Sequence, residues 1–108
     1  MSMAMDTPWV AVAETDELAP AQMKKLQLAG KRLLLANAEG KYYVVDEMCS
    51  HEDYSLYLGC IKDRRIKCSL HGSFFDLETG EPTVEPACEP IRTYPVQVAD
   101  GKIWVDPT

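Results

Sequence analysis

The chain has 108 residues, a length that supports one compact domain and no more. It carries 11 basic and 17 acidic residues, so its net charge of −6 argues against nucleic acid or an anionic membrane surface as the main partner. Residues 1–7 contain no apolar run, no positively charged leader and no twin arginine. We therefore expect a soluble, cytoplasmic protein.

Short strands separated by turn signals fill the first half of the chain. An alternation of large apolar and small side chains predicts a first strand, and a polar connection with room for one helical turn follows it. The next three strands are separated by Ala29-Gly30-Lys31 and Glu39-Gly40, and we expect them to form a meander. The predicted segments are strand 9–13, loop 15–21, and strands 23–28, 32–37 and 41–46.

The second half continues in the same way. Two short strands pair as a hairpin across Asp63-Arg64, and the last two strands pair across Asp100-Gly101, with Ile103 and Val105 on one face. Three prolines within nine residues predict a stiff loop, and Pro95 favours an edge position for its strand. The predicted segments are strands 60–62, 65–67 and 74–77, the proline loop 82–90, and strands 92–99 and 102–106.

Two mixed Cys/His boxes contain both histidines of the chain. The first reads Cys49-Ser50-His51, and after sixteen intervening residues the second reads Cys68-Ser69-Leu70-His71. Either box alone is compatible with a buried thiol beside a surface imidazole. Together they indicate a metal centre, because thiolate and imidazole are both metal ligands and no histidine occurs elsewhere.

The type of centre follows from the order of the ligands. Structural zinc modules usually take two cysteines from one turn and two histidines from a helix, whereas each box here supplies one of each. The cysteines stand at positions 49, 60, 68 and 88, so no Cys-x-x-Cys pair exists. A two-iron, two-sulfide cluster fits, with two thiolates on one iron and two imidazoles on the other.

The two boxes, with Phe75-Asp76 and Thr79-Gly80 after them, resemble those of Rieske iron–sulfur proteins. The resemblance covers nearly the whole chain, residues 9–105. It implies that Cys49 and Cys68 ligate the inner iron of one Rieske-type cluster, and that His51 and His71 ligate the outer iron near the protein tip.

The strand pattern predicts an all-β fold, an antiparallel sandwich or barrel of seven to nine short strands. We expect a single domain over residues 1–108, with a base built from both chain ends. A smaller cluster-binding subdomain over about 48–75 has the proline loop 82–90 packed beside it. The resemblance to Rieske domains implies the same division.

Three positions distinguish two subclasses of the family. High-potential Rieske proteins carry an extra cysteine in each box and a tyrosine after the second box, where this chain has Tyr54, Leu70 and Phe75. The resemblance is therefore to the low-potential ferredoxins. It implies an electron carrier, not an enzyme, that passes single electrons from an NAD(P)H-dependent flavin reductase to the terminal oxygenase of a bacterial aromatic-ring dioxygenase.

Three other functions share features of this pattern. A catalytic Rieske oxygenase needs two further histidines for a mononuclear iron, and both histidines are already used. A small electron-transfer subunit of a nitrite reductase or arsenite oxidase type, and a zinc-stabilised binding module, stay open. We expect a monomer, with Cys60 and Cys88 as reduced thiols.

The resemblance also implies where partners dock. They approach the tip at the two imidazoles, where an apolar centre is surrounded by acidic side chains. The bordering residues are Glu52, Asp53, Tyr54, Leu70, Glu85, Pro86 and Glu89.

Overall fold

The computed structural model describes residues 9–49, 55–68, 72–84 and 89–108. Strands dominate these ranges, and the 3-10 helix Leu56–Leu58 lies after the first Cys/His box. The strands are β1 (Val10–Glu14), β2 (Met23–Leu28), β3 (Lys31–Ala38), β4 (Lys41–Asp46), β5 (Cys60–Lys62), β6 (Arg65–Lys67), β7 (Phe74–Asp76), β8 (Pro82–Val84), β9 (Thr93–Tyr94), β10 (Val96–Ala99) and β11 (Lys102–Val105).

The strands form three antiparallel sheets, with the orders β1-β11-β10, β2-β3-β4-β9 and β5-β6-β7-β8. The all-β antiparallel fold is therefore confirmed, although the described residues contain eleven strands where seven to nine were predicted. The meander of β2, β3 and β4 forms as expected. Its second turn has positive φ at both Glu39 and Gly40, the backbone that a two-residue hairpin loop requires.

The central sheet is buried on both faces. One face of β3 and β4, including Leu34 and Val45, packs against Ile66 and Phe75 of the β5–β8 sheet. The opposite face packs against Ile103 and the rest of the β1-β11-β10 sheet. Side chains of this size contribute about 1.5–3 kcal/mol each when fully buried. Ile103 and Val105 are both buried in this second cluster, so they share one face of β11 as predicted.

Pro95 divides the strand predicted over 92–99 into β9 and β10. β9 pairs with β4, whereas β10 leaves that sheet and pairs with β11. Proline has no backbone N–H, so the ladder ends there and the chain crosses from one sheet to the other. The prediction of one continuous strand with Pro95 inside it was wrong.

Two further predictions need correction. The segment 82–84, predicted as part of the proline loop, forms β8 and pairs with β7, because a proline is tolerated on the outermost strand of a sheet. Residues 15–21 form the predicted loop, but its turns include no helical turn. Strand ends also shift by one residue at β1, β3, β7 and β11. Within the described part of the chain, no helix is long and apolar enough to span a membrane.

Candidate metal centre

Strand β4 leads directly to the first Cys/His box. Its run Tyr42–Val45 combines aromatic and β-branched residues, which favour an extended backbone. Cys49 follows three residues after the strand ends and is only 6% exposed. It belongs to the same apolar cluster as Leu34 and Val45, so the central sheet fixes where this thiol lies.

The loop that carries the first box is closed at its base by contacts between Glu47 and Ser55. The Ser55 hydroxyl donates a 2.5 Å hydrogen bond to Glu47 Oε2, and the Leu56 amide donates to the Glu47 carbonyl oxygen at 2.7 Å. Met48 and Ser55 also form an isolated antiparallel bridge. The two ends of the loop are therefore held side by side.

Glu47 is buried and ionised at this position. Burial raises the pKa of its carboxyl, but hydrogen bonds from Ser55 and Arg32 more than offset it and hold the pKa below the usual value. Arg32 Nε and Nη2 lie 3.2 and 3.3 Å from the two carboxylate oxygens. Sequence reasoning missed this group, because Arg32 and Ser55 lie 15 and 8 positions from Glu47 and no local pattern predicts these pairs.

Strand β6 ends at Lys67, and Cys68 follows at once, 1% exposed. The Cys68 amide donates to the Ser73 carbonyl oxygen at 2.7 Å, and the Gly72 amide donates to the Cys68 carbonyl oxygen at 2.8 Å. Gly72 has a φ of 77°, which glycine adopts without strain. The described residues on either side of the second box are thus joined by two backbone hydrogen bonds, and Ser73 is fully buried.

The two loops are brought together by a close approach of backbone to backbone. A Cβ placed on Gly59, which ends the 3-10 helix, would lie 1.7 Å from the carbonyl oxygen of Lys67. Only glycine allows this contact. Gly59 therefore allows the segment after the first box to contact Lys67, the residue before Cys68. Cys49 and Cys68, the two predicted thiol ligands, belong to one apolar cluster.

The donor set in the described residues fits half of the predicted cluster. Cys49, Cys60 and Cys68 are thiols outside any disulfide, and the two predicted ligands are the buried ones. Burial alone disfavours the thiolate form of these side chains, and a bound metal would balance the charge that they carry as ligands. His51 and His71 lie outside the described residues, and within those residues no three Cys, His, Asp or Glu side chains are grouped to hold a metal ion.

The surface beside the loops is partly apolar. Tyr57 and Leu58, both on the 3-10 helix, are 41% and 60% exposed. The ammonium of Lys25 lies 5.2 Å from the centre of the Tyr57 ring. Of the residues predicted to border the tip, only Glu89 is described, and it is exposed. Sequence reasoning missed Tyr57 and Leu58, because apolar residues are expected in the core.

Cys60 is exposed on β5, where it pairs with Lys67 of β6, and Cys88 lies outside the described residues. On the β5–β6 hairpin, Lys62 and Arg64 are exposed. The charged groups of Arg65 and Lys67 lie over the Phe74 ring, 4.6 and 5.8 Å from its centre. This contact covers one side of β7 with cationic side chains.

Comparisons with known proteins give consistent results. Residues 8–95 match the family described as Rieske [2Fe-2S] domain. The chain is 30% identical over 95 residues to the ferredoxin component of biphenyl 2,3-dioxygenase from Rhodococcus jostii (strain RHA1), covering 88% of this chain and 89% of that protein.

Solved structures resemble the fold over nearly the full length. The ferredoxin of carbazole 1,9a-dioxygenase from Nocardioides aromaticivorans IC177 superposes with a TM-score of 0.89 and 31% identity, covering 94% of this chain and all of that one. A chain from a complex of reduced oxygenase and oxidised ferredoxin in carbazole 1,9a-dioxygenase gives a TM-score of 0.86 and 25% identity, covering 91% of this chain and 92% of that chain.

Proposed function

The chain belongs to the Rieske [2Fe-2S] domain family and has one Rieske-type cluster as its cofactor, and we propose that it is the ferredoxin of an aromatic-ring dioxygenase system. The observation that carries this proposal is the similarity to dioxygenase ferredoxins over nearly the whole length of both chains. The chain is an electron carrier and leaves the oxidation of the substrate to another component.

For the ligands, we propose that Cys49 and Cys68 hold the inner iron, and that His51 and His71 hold the outer iron. The burial of both thiols supports this assignment, since the ligands of an inner iron must lie on the protein side of the cluster. When bound, such a cluster takes up and gives up one electron, and imidazole ligation raises its potential above that of an all-cysteine cluster. We further propose one domain over 1–108, with the cluster-binding subdomain over about 48–75.

The described residues support electron transfer in three ways. The packing of Cys49 and Cys68 into the apolar core excludes water from the thiol side of the site. The closed bases of the two ligand loops hold the ligands in place without large rearrangement when the charge changes. The exposed pair Tyr57 and Leu58 offers a partner an apolar contact next to the first box.

For the partners, we propose an NAD(P)H-dependent flavin reductase as electron donor and a terminal Rieske oxygenase as acceptor. A carrier must leave one partner to reach the next, so each interface should bury less than about 1,200 Å² in total. The net charge of −6 favours partner surfaces with a basic rim, which speed the encounter more than they prolong the complex. A monomer that works in the cytoplasm, where NAD(P)H is available, belongs to the same proposal.

The test is reconstitution of turnover. The cluster-loaded protein is mixed with purified reductase and oxygenase pairs from aromatic-ring dioxygenase systems, and NADH-dependent formation of oxidised product is measured. We expect product only when all three components are present, and none with the Cys68→Ala protein. If a loaded protein is reduced by no flavin reductase and reduces no oxygenase of this class, while it exchanges electrons with a nitrite reductase or an arsenite oxidase, the proposal is wrong.

A further inference from the structure

The loop that carries Cys49 begins and ends at two side chains in direct contact. Glu47 lies two residues before Cys49, and Ser55 lies eight residues after Glu47. Their side chains are joined by a 2.5 Å hydrogen bond, and the Met48–Ser55 bridge joins the backbone beside them. The residues between them include His51, the proposed imidazole ligand.

Glu47 uses all of its polar groups at this junction. Its amide donates to the Arg32 carbonyl oxygen at 3.1 Å, and its carbonyl oxygen accepts from the Leu56 amide at 2.7 Å. Its carboxylate accepts from Arg32 at 3.2 and 3.3 Å as well as from Ser55. The Glu47 side chain is only 4% exposed, whereas that of Arg32 is 59% exposed.

This arrangement anchors the loop to the central sheet. Arg32 belongs to β3, where it pairs with Gln27 of β2, so its backbone is held in the central sheet. Ser55 in turn accepts from the Tyr57 amide at 3.2 Å and begins the 3-10 helix, whose buried Leu56 packs into the core. Both ends of the loop are therefore attached to rigid structure.

We propose that Arg32, Glu47 and Ser55 form a noncovalent brace that positions the first ligand loop for the cluster and slows the loss of iron. Within the described residues no disulfide closes this loop. Hydrogen bonds to a charged carboxylate are stronger than neutral ones, and a closed loop loses less freedom when its ligands bind. These three are positioning residues, since none is a proposed ligand.

The experiment compares two rates in cluster-loaded protein. Iron release is followed with a chromogenic iron chelator under native conditions, and hydrogen exchange is followed at the Leu56 amide. Partners outside the ligand sphere typically change metal affinity by about 10- to 100-fold. We therefore expect Ser55→Ala and Glu47→Gln to release iron about tenfold faster or more, with faster exchange at Leu56. Ser55→Thr keeps the hydroxyl and should restore slow release.

A matched control comes from the base of the molecule. Glu17 accepts a 2.6 Å hydrogen bond from Lys24, so Glu17→Gln makes the same chemical change away from the ligand loops. This variant should release iron at the wild-type rate. The proposal is overturned if Ser55→Ala releases iron no faster than wild type, or only in proportion to its loss of thermal stability. If Glu47→Gln does not fold, the comparison of Ser55→Ala with Ser55→Thr decides in the same way.

Discussion

The Tyr94 hydroxyl donates a 2.7 Å hydrogen bond to Asp46 Oδ1, and this contact joins β9 to the end of β4. Tyr94 is 6% exposed, and the charged groups of Lys31 and Arg92 lie 5.4 and 4.7 Å from its ring centre. Since β4 delivers Cys49, the bond helps to fix the strand on which the first ligand loop depends.

This bond predicts an alkaline loss of stability. Burial first, and then the Asp46 carboxylate, raise the pKa of Tyr94 from 10.0 to about 12. Because the pKa is higher in the folded protein, the stabilisation is complete below about pH 10 and is lost as the pH rises toward about 12. The total loss is about 2–3 kcal/mol. Urea unfolding at pH 9 and pH 11.5 measures the difference.

The Tyr94→Phe variant tests the source of that loss. It should be less stable than wild type at pH 9 by about 1 kcal/mol, because Asp46 loses its hydrogen-bond donor. Between pH 9 and pH 11.5 it should lose less stability than wild type. Tyr57→Phe, at a ring that is 41% exposed, serves as control. A pH dependence identical in wild type and Tyr94→Phe would show that Tyr94 is not responsible.

Removal of a proposed thiol ligand should abolish the cluster. Cys68→Ala should contain almost no iron and be unstable, because formation of a metal site and folding are coupled. Cys60→Ala provides a matched control, since Cys60 is an exposed thiol only eight positions before Cys68. Iron content and the visible spectrum measure the outcome. A native spectrum in Cys68→Ala would disprove the ligand assignment.

Gly59→Ala should separate the two ligand loops. Its Cβ would lie 1.7 Å from the Lys67 carbonyl oxygen, so the 3-10 helix or β6 must move. We expect a destabilisation of about 3 kcal/mol and faster loss of iron. At Gly30, by contrast, no atom lies within 4 Å of an added Cβ, so Gly30→Ala carries only the strain of its positive φ, about 1 kcal/mol. If Gly59→Ala and Gly30→Ala lose the same thermal stability and release iron at the same rate, the close approach of Gly59 to Lys67 does not hold the two loops together.

Leu58→Ser should weaken docking without affecting the fold. Leu58 is 60% exposed beside the first ligand loop, whereas Val98 is 51% exposed on the β1-β11-β10 sheet of the base. Loss of the apolar contact should raise the KM for this protein in reconstituted turnover by about three- to tenfold, and high salt should not remove the effect. Val98→Ser should leave the KM unchanged. Equal KM values for the two variants would exclude Leu58 from the interface.

Turn residues and the two Cys/His boxes are local sequence patterns, and they predicted the hairpins and the family of this protein. The turn pairs Glu39-Gly40 and Asp63-Arg64 marked hairpins that the structure contains, because their backbone requirements are local. The two Cys/His boxes indicated the Rieske family, which the comparisons confirm. The family follows from the residue types in the two boxes and their order, and both are properties of the sequence alone.

What the sequence did not reveal depends on contacts between distant residues. The break at Pro95 depends on which strands lie next to it, and β8 depends on pairing with β7. The Glu47 carboxylate meets Arg32 only because β3 and β4 are neighbours in the folded sheet. Leu58 looks like a core residue until the buried Leu56 shows which side of the 3-10 helix faces inward.

A coulometric redox titration of the purified protein, with iron and acid-labile sulfide measured on the same sample, tests the central claim most directly. We predict one electron per chain, with about two irons and two sulfides. The midpoint should lie near the low end of the Rieske range, about −150 mV, since Phe75 is fully buried and offers no hydroxyl. Bound zinc with no electron uptake would contradict an electron carrier, and a midpoint near +250 mV would contradict a low-potential ferredoxin.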